Sequence, residues 1–341
     1  MVIQGIPSPG SGLRLHLNEN TGGCSPRVVD AIRALTAQQL AAYPDYRGAV
    51  LACARHFGVD PGWVLLTNGL DEGLLMLAIA RLGRDKAPGA EAIVPVPAFE
   101  PYFAAVAAVG ATPVRVPPLG GLQFPLDAVL AAISPRTSLV YLNTPNNPTG
   151  QTIGREALRT VATAAPHAVV LVDEAYIDFS GESFLSELPQ HRNVVVGRTF
   201  SKAYGLAGMR VGCLIAHPET LAPIRAVTPV LNLNVIAVTA VQAALEDTDF
   251  LPRYASEVRE SRQRLYAACR RLGLDYWESA GNFVLVRVGD RVAAVMQALD
   301  RRGVHVRDRS RDPHTPGCVR ITAGIVAHTD AAIAALEAIF V

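Results

Sequence analysis

The stretch NVVVGRTFSKAYGLAGMRVG, residues 193–212, decides the fold. It opens as an unbroken apolar strand at 193–196 and then passes into a Gly-rich loop that contains Lys202. Similar short apolar runs lie at 92–96, 139–142 and 169–172, each about the length of one strand. Helical patterns at 71–81, 101–109, 126–133 and 155–165 alternate with them. Strands that are continuously apolar, rather than alternating, predict a mostly parallel sheet buried on both faces, an α/β fold. Gly/Pro turns punctuate it at Pro97, Pro117–Pro118, 145–150 and 205–212. From about Ala237 the character changes. A long helical pattern, broken near Pro252, runs to about Leu272, followed by a strand at 282–288, a helix at 291–302, strands near 304–307 and 319–322, and a closing helix at 329–340. That order predicts a smaller α+β domain beside the main one. No repeat or low-complexity segment is visible, and any disordered tail is confined to roughly the first dozen residues.

Composition removes several function classes. The chain has 341 residues, half of them apolar and 18% charged, which excludes a disordered chain and supports a large core. At this size a fold hides about 75% of its extended surface, over one to three domains. The net charge of +1 leaves no electrostatic footprint for nucleic acid or an acidic membrane. Residues 1–20 lack the basic and apolar regions of a secretory signal, and no run of 18 apolar residues suggests a membrane span. The five cysteines are scattered, with no C-x-x-C, as expected of buried thiols in a reducing cytoplasm rather than disulfides or zinc ligands. There is no H-E-x-x-H, G-x-G-x-x-G, Walker A or G-x-S-x-G sequence, so zincin, nicotinamide dehydrogenase, P-loop kinase and serine hydrolase readings lose support. No metal site is expected. Of the 31 basic residues only Lys86 and Lys202 are lysines, so chemistry that needs a primary amine has two candidates. Lys86, in GRDKAPG, reads as an exposed loop side chain.

Ligands of open α/β sheets bind past the carboxyl ends of the strands. Three strands here end in polar residues that would converge there: Asn143 with the turn TPNNPTG (144–150), Asp173 with Glu174, Ala175 and Tyr176, and the loop that carries Lys202. Taken singly, Asp173 could be a helix N-cap and Asn147–Pro148 a tight turn. A carboxylate closing a buried strand, however, is costly unless a cation faces it. An amine, a buried carboxylate, a phenol and an amide are together what pyridoxal phosphate needs. The amine forms a Schiff base with its aldehyde, and the carboxylate keeps the pyridine nitrogen protonated. The amide and phenol hold the ring's phenolic oxygen. Thr199, Ser201, Arg210 and a helix opening at Leu70–Asp71 could hold a phosphate.

These segments resemble those of fold-type-I aminotransferases, most closely the histidinol-phosphate aminotransferase group. The resemblance runs from Leu15 to the C-terminus through LNEN (17–20), YPD (43–45), TNGLDEG (67–73), PAFEPY (97–102), NNPTG (146–150), DEAY (173–176), TFSKAYGLAGMRVG (199–212) and RDRSRDPHTPGCVRIT (307–322). The lysine segment with its eight-residue step to Arg210 is the most specific. The resemblance implies a fold-type-I pyridoxal-phosphate-dependent transferase, with a mostly parallel seven-stranded sheet between helices and a smaller α+β domain. It implies an N-terminal segment at 1–40, a large cofactor domain at 41–245 and a small domain at 246–341.

Position by position, Lys202 resembles the Schiff-base lysine, which also moves a proton between substrate and cofactor. Asp173 resembles the pyridinium partner, and Asn147 and Tyr176 the ligands of the phenolic oxygen. Phe99 falls where the family stacks an aromatic ring on the cofactor. Leu70, Asp71, Thr199, Ser201 and Arg210 match the phosphate cradle. Tyr43 matches a residue that reaches the neighbouring subunit's phosphate, which implies a homodimer with shared active sites. Arg320 and Arg307 match the substrate-anion arginines, and Asn18 lies in a matching substrate segment. Arg309 and Arg311 are read as parts of a solvated loop. Two positions depart from the family. NENTGG (18–23) stands where NENPYG is common, so the Tyr that contacts substrate phosphate is missing, and Leu231 replaces a further tyrosine.

The activity implied is ping-pong transfer of an amino group from glutamate to imidazole-acetol phosphate, giving histidinol phosphate and 2-oxoglutarate. Aromatic amino acid aminotransferases share the chemistry, and threonine-phosphate decarboxylases share the Lys/Asp/Tyr/Asn set. A non-catalytic sensor domain lacks support, since there is no appended helix-turn-helix and no basic patch.

Overall fold

The computed structural model describes residues 12–83 and 89–340. Seven strands form the main sheet: β1 (Val64–Thr67), β2 (Glu91–Pro95), β3 (Thr112–Val116), β4 (Thr137–Asn143), β5 (Val169–Asp173), β6 (Val194–Thr199) and β7 (Gly212–Ala216). Their spatial order is β1-β7-β6-β5-β4-β2-β3, and β7 alone runs against the rest. The continuous apolar runs are explained by the two cores the sheet separates. Val170, Val172, Val194 and Val196 face one, and Val169, Leu171 and Val195 face the other. Each fully buried side chain contributes about 1.5–3 kcal/mol, so neither face tolerates polar alternation.

Helix α1 (Gly69–Leu82) follows β1, and helix α2 (Pro101–Ala108) follows β2. Crossovers of this kind keep the parallel strands' carboxyl ends on one edge. There Asn143, Asp173 and Gly197 lie side by side in register. β1, β3 and β7 lie outside the runs read from sequence.

A second, antiparallel sheet comprises β8 (Asp275–Trp277), β9 (Phe283–Arg287), β10 (Arg307–Asp308) and β11 (Cys318–Thr322), in the order β10-β11-β9-β8. The long helical pattern is two helices, Val235–Glu246 and Phe250–Arg271. The break falls at 247–249, not at Pro252. That proline sits in the first turn of the second helix, where an amide N–H has no intrahelical partner to lose.

The N-terminal segment belongs to both halves. Leu13–Arg14 pairs in parallel with Val304–His305. The Thr322 amide donates to Leu15 O at 2.9 Å, and Asn18 N donates to Thr322 Oγ1 at 3.1 Å. Lys86 and the first eleven residues lie outside the described residues. Among those described, no helix is long and apolar enough to cross a membrane.

Candidate active site

The edge of the main sheet opens into a cavity of about 500 Å³, lined by Leu70, Asp71, Phe99, Asn143, Asn147, Asp173, Ala175, Tyr176, Thr199, Ser201, Lys202 and Arg210. Asn143 organises its floor. The side-chain amide donates to Asp173 O at 3.0 Å, and its Oδ1 accepts Asn147 N at 2.8 Å, fixing the TPNNPTG turn against β5.

Asp173 is 2% exposed, and no cation pairs with it among the described residues. Tyr102 OH donates to Oδ2 at 2.5 Å, and the Ala175 amide donates to Oδ1 at 2.9 Å. Burial raises its pKa to about 6, against the pull of these two donors. A carboxylate so placed fits a cationic ring nitrogen delivered by a ligand.

Lys202 is half-buried, and its Nζ donates to Leu17 O at 2.7 Å. Burial, then the nearby Arg320 cation, lowers its pKa to about 8. About a tenth of the amine is therefore neutral at pH 7, far more than for an ordinary lysine. Tyr176 is buried; its OH accepts from Asn18 Nδ2 at 3.0 Å, and burial raises its pKa.

The opposite end is built to take an anion. Helix α1 starts without a side-chain cap, so its first amides, at Leu70 and Asp71, are available at the cavity wall. Arg210, in left-handed backbone with φ 53°, turns its guanidinium there and pairs with Asp71 at 2.8 Å. Gly69 makes room for it, because a Cβ at that position would lie 2.6 Å from the Arg210 guanidinium. Thr199 and Ser201 are buried alongside, and the Ser201 amide donates to Thr199 Oγ1 at 3.2 Å. An aldehyde-bearing pyridine phosphate fits this donor set: amine, lone carboxylate, amide and phenol, and anion cradle. Phe99 contributes a half-buried ring to the wall.

Arg320 closes the side toward the small sheet. It is 6% exposed, donates to Asn147 Oδ1, and donates to His16 O at 2.7 Å. Burial lowers its pKa to about 10, with the Arg309 and Arg307 charges adding to the effect. Arg307 lies directly opposite it in the β10–β11 register and is half-buried. Of the residues assigned site roles in the sequence, two stand apart from the cavity: Arg307 lines the neighbouring cleft, and Tyr43 is 81% exposed on the surface of the single chain.

Arg309 corrects the reading of a solvated loop. It is 5% exposed and pairs with Glu100, the residue after Phe99, whereas Arg311 is exposed as expected. Three further groups escaped the sequence reading. Tyr102 lies in the quoted PAFEPY segment but carried no signal of its contact with Asp173. Asn143 was noted only as a strand end. Behind the site, buried Arg198 donates to Glu174 at 3.0 Å and to Asp178 at 2.5 Å, bracing the DEAY turn against β6. A charge in an apolar strand next to a charged turn is the signal that could have found that triad.

Comparison with known proteins places this geometry. The family model for aminotransferase class I and II matches residues 11–337. A histidinol-phosphate aminotransferase 2 of Ralstonia nicotianae is 41% identical, covering 95% of this chain and 88% of that protein. A histidinol-phosphate aminotransferase of Symbiobacterium thermophilum is 38% identical over 96% of this chain and 90% of its own. Among solved structures, the histidinol-phosphate aminotransferase of Sinorhizobium meliloti in complex with pyridoxal-5'-phosphate superposes with a TM-score of 0.87 at 30% identity, covering 99% and 96% of the two chains.

Proposed function

The chain belongs to the class I and II aminotransferases, and from that premise we propose that it exchanges an amino group between histidinol phosphate and 2-oxoglutarate with pyridoxal 5'-phosphate in the cavity described. The observation that carries the reading is one cavity holding a lysine whose pKa is lowered to about 8, a carboxylate with no cation paired to it among the described residues, and an anion cradle. Substrates named in the curated relatives support the choice of histidinol phosphate.

Pyridoxal phosphate, when bound, supplies an aldehyde for amino-group exchange and a ring that takes up electrons from the substrate's α-carbon. The chain does the rest. Lys202 Nζ holds the cofactor and later takes and returns the α-proton, a task suited to an amine with a pKa near 8. Asp173 supplies the negative charge that keeps a ring-nitrogen proton in place. Tyr102 and the Ala175 amide hold that carboxylate in one orientation. Asn147 and Tyr176 orient the phenolic oxygen. Leu70, Asp71, Thr199, Ser201 and Arg210 would hold the phosphate, and Phe99 would pack on the ring. Arg320 and Arg307 take the substrate's anionic groups through planar forks, with Asn18 lining the entry.

The working unit is a homodimer. Leu40, Tyr43, Leu51, Val230 and Leu231 are large apolar or aromatic side chains left 49–87% exposed on neighbouring segments, and a partner covering them would bring Tyr43 to its own phosphate cradle. The three segments are 1–40, 41–245 and 246–341, and the compartment is the cytoplasm, in keeping with five unpaired thiols. A half-reaction panel of histidinol phosphate, phenylalanine, tyrosine and threonine phosphate tests the substrate. Histidinol phosphate should be preferred; parity with phenylalanine rejects it, and carbon dioxide release from threonine phosphate rejects transamination.

A further inference from the structure

Beside the cofactor cavity lies an open cleft whose wall includes His16, Glu100, Arg115, Arg307, Arg309 and Arg311. His16 enters it on the segment that bonds Arg320 through the main chain. The imidazole is 8% exposed, yet neither Nδ1 nor Nε2 has a hydrogen-bond partner among the described residues. Leaving such a group unsatisfied costs stability, and buried polar atoms without partners are uncommon. The orphans cluster: Arg309 Nε, Arg320 Nε and His305 Nε2 are also buried without partners among the described residues, and the His305 ring stands edge-on to His16 at 6.2 Å.

The groups that act on the ring are basic, although Arg14 is paired with Glu19 at 2.7 Å and His305 with Asp300 at 2.9 Å. Arg14, His305, Arg307 and Arg320 all act on it, and together with burial, the largest cause, they depress its pKa to about 4. The carboxylates at the cleft are engaged elsewhere. Glu100 pairs with Arg309, Asp308 accepts from Ser310, and Asp312 accepts from the His314 amide and pairs weakly with Arg309. A neutral imidazole held among cations, with unmet nitrogens, is a site for a multiply charged oxyanion. When such an anion arrives it offsets the cationic share of what keeps the ring neutral and gives the buried nitrogens an acceptor.

We propose that His16 is a specificity-determining ligand for the phosphate monoester end of the substrate, and that it takes up one proton from solvent as that end binds. This rests on the reading of a phosphorylated amino donor and names a residue that discriminates for it.

Three measurements on the holoenzyme test the assignment. Ring-proton NMR of His16, titrated with inorganic phosphate, should show the imidazole becoming protonated at neutral pH. His16→Phe should weaken histidinol phosphate about tenfold more than histidinol, the size expected for one charge-assisted bond. His16→Asn, which keeps an N–H donor, should recover much of that ratio but not the proton uptake read from the buffer dependence of the binding enthalpy. Ring signals that do not move, or a His16→Phe ratio equal to wild type, overturn the proposal. If histidinol phosphate is not turned over while inorganic phosphate still protonates His16, the substrate reading fails and the anion assignment stands.

Discussion

Replacing Tyr102 by Phe removes one hydroxyl and little else. The ring is 1% exposed and stacks on Tyr141 at 4.6 Å, so phenylalanine keeps the packing. The loss is the 2.5 Å bond to Asp173 Oδ2. A hydrogen bond to a charged acceptor contributes about 1.5–3 kcal/mol and one to the neutral acid about 0.5–1.5 kcal/mol; the difference, about 1–1.5 kcal/mol, is roughly one pKa unit. Asp173, already at about 6 in the cofactor-free protein, should therefore rise to roughly 7. The sign follows from linkage. Between the unfolded value and the raised folded value, the native state holds the extra proton, so stability falls as pH rises through that window. The variant extends the window upward. Cofactor-free Tyr102→Phe should lose about 0.5–1.5 kcal/mol at pH 5, where the bond joins two neutral groups. At pH 9 the loss should be about 1–1.5 kcal/mol larger. Urea unfolding at the two pH values, with carboxyl 13C titration of Asp173, measures both quantities. Equal destabilisation at both pH values, with an Asp173 midpoint still near 6, would refute the reasoning.

The low Lys202 pKa has a kinetic consequence: cofactor incorporation into the empty protein should speed up as pH rises and level off above about 8, followed by growth of the visible band. Lys202→Ala should give no lysine-dependent band at any pH. Gly69→Ala places a side chain at φ 72° and 2.6 Å from Arg210. It should cost about 1–2 kcal/mol in thermal unfolding and weaken cofactor retention on dialysis. Arg309→Ala leaves Glu100 without its partner and should lower unfolding free energy by about 1–3 kcal/mol, less than for a wholly buried pair because the Glu100 side chain is 44% exposed.

Much of the site was legible because the sheet makes it so. Apolar strands that stop at a polar residue announce Asn143, Asp173 and the Lys202 loop, and the resemblance assigned them roles. The strands VLLT (64–67) and GCLIA (212–216) carry no such marker and sit beside glycine turns, so they were passed over. TPVRV (112–116) is half-exposed and interrupted by proline. The local charge density around Arg309 reads as a solvated loop, whereas its burial is decided by Glu100, 209 residues earlier. Tyr102 and Asp173 are 71 residues apart, and no local pattern encodes that meeting. His16 carried no sequence signal either; its meaning lies in the absence of partners, visible only once its surroundings are known.

The N-terminal segment that joins Lys202, Tyr176 and Thr322 also sets an order of events during synthesis. Asn18 bonds Thr322, 304 residues later, and at about 5–20 residues per second the ribosome needs roughly 15–60 s to deliver that partner. Over that interval Lys202 and Asp173 emerge first, and the segment that will lie over them waits without its second anchor. Cofactor capture on the nascent chain would thus meet a half-built site, and the site is completed only as β11 takes its place.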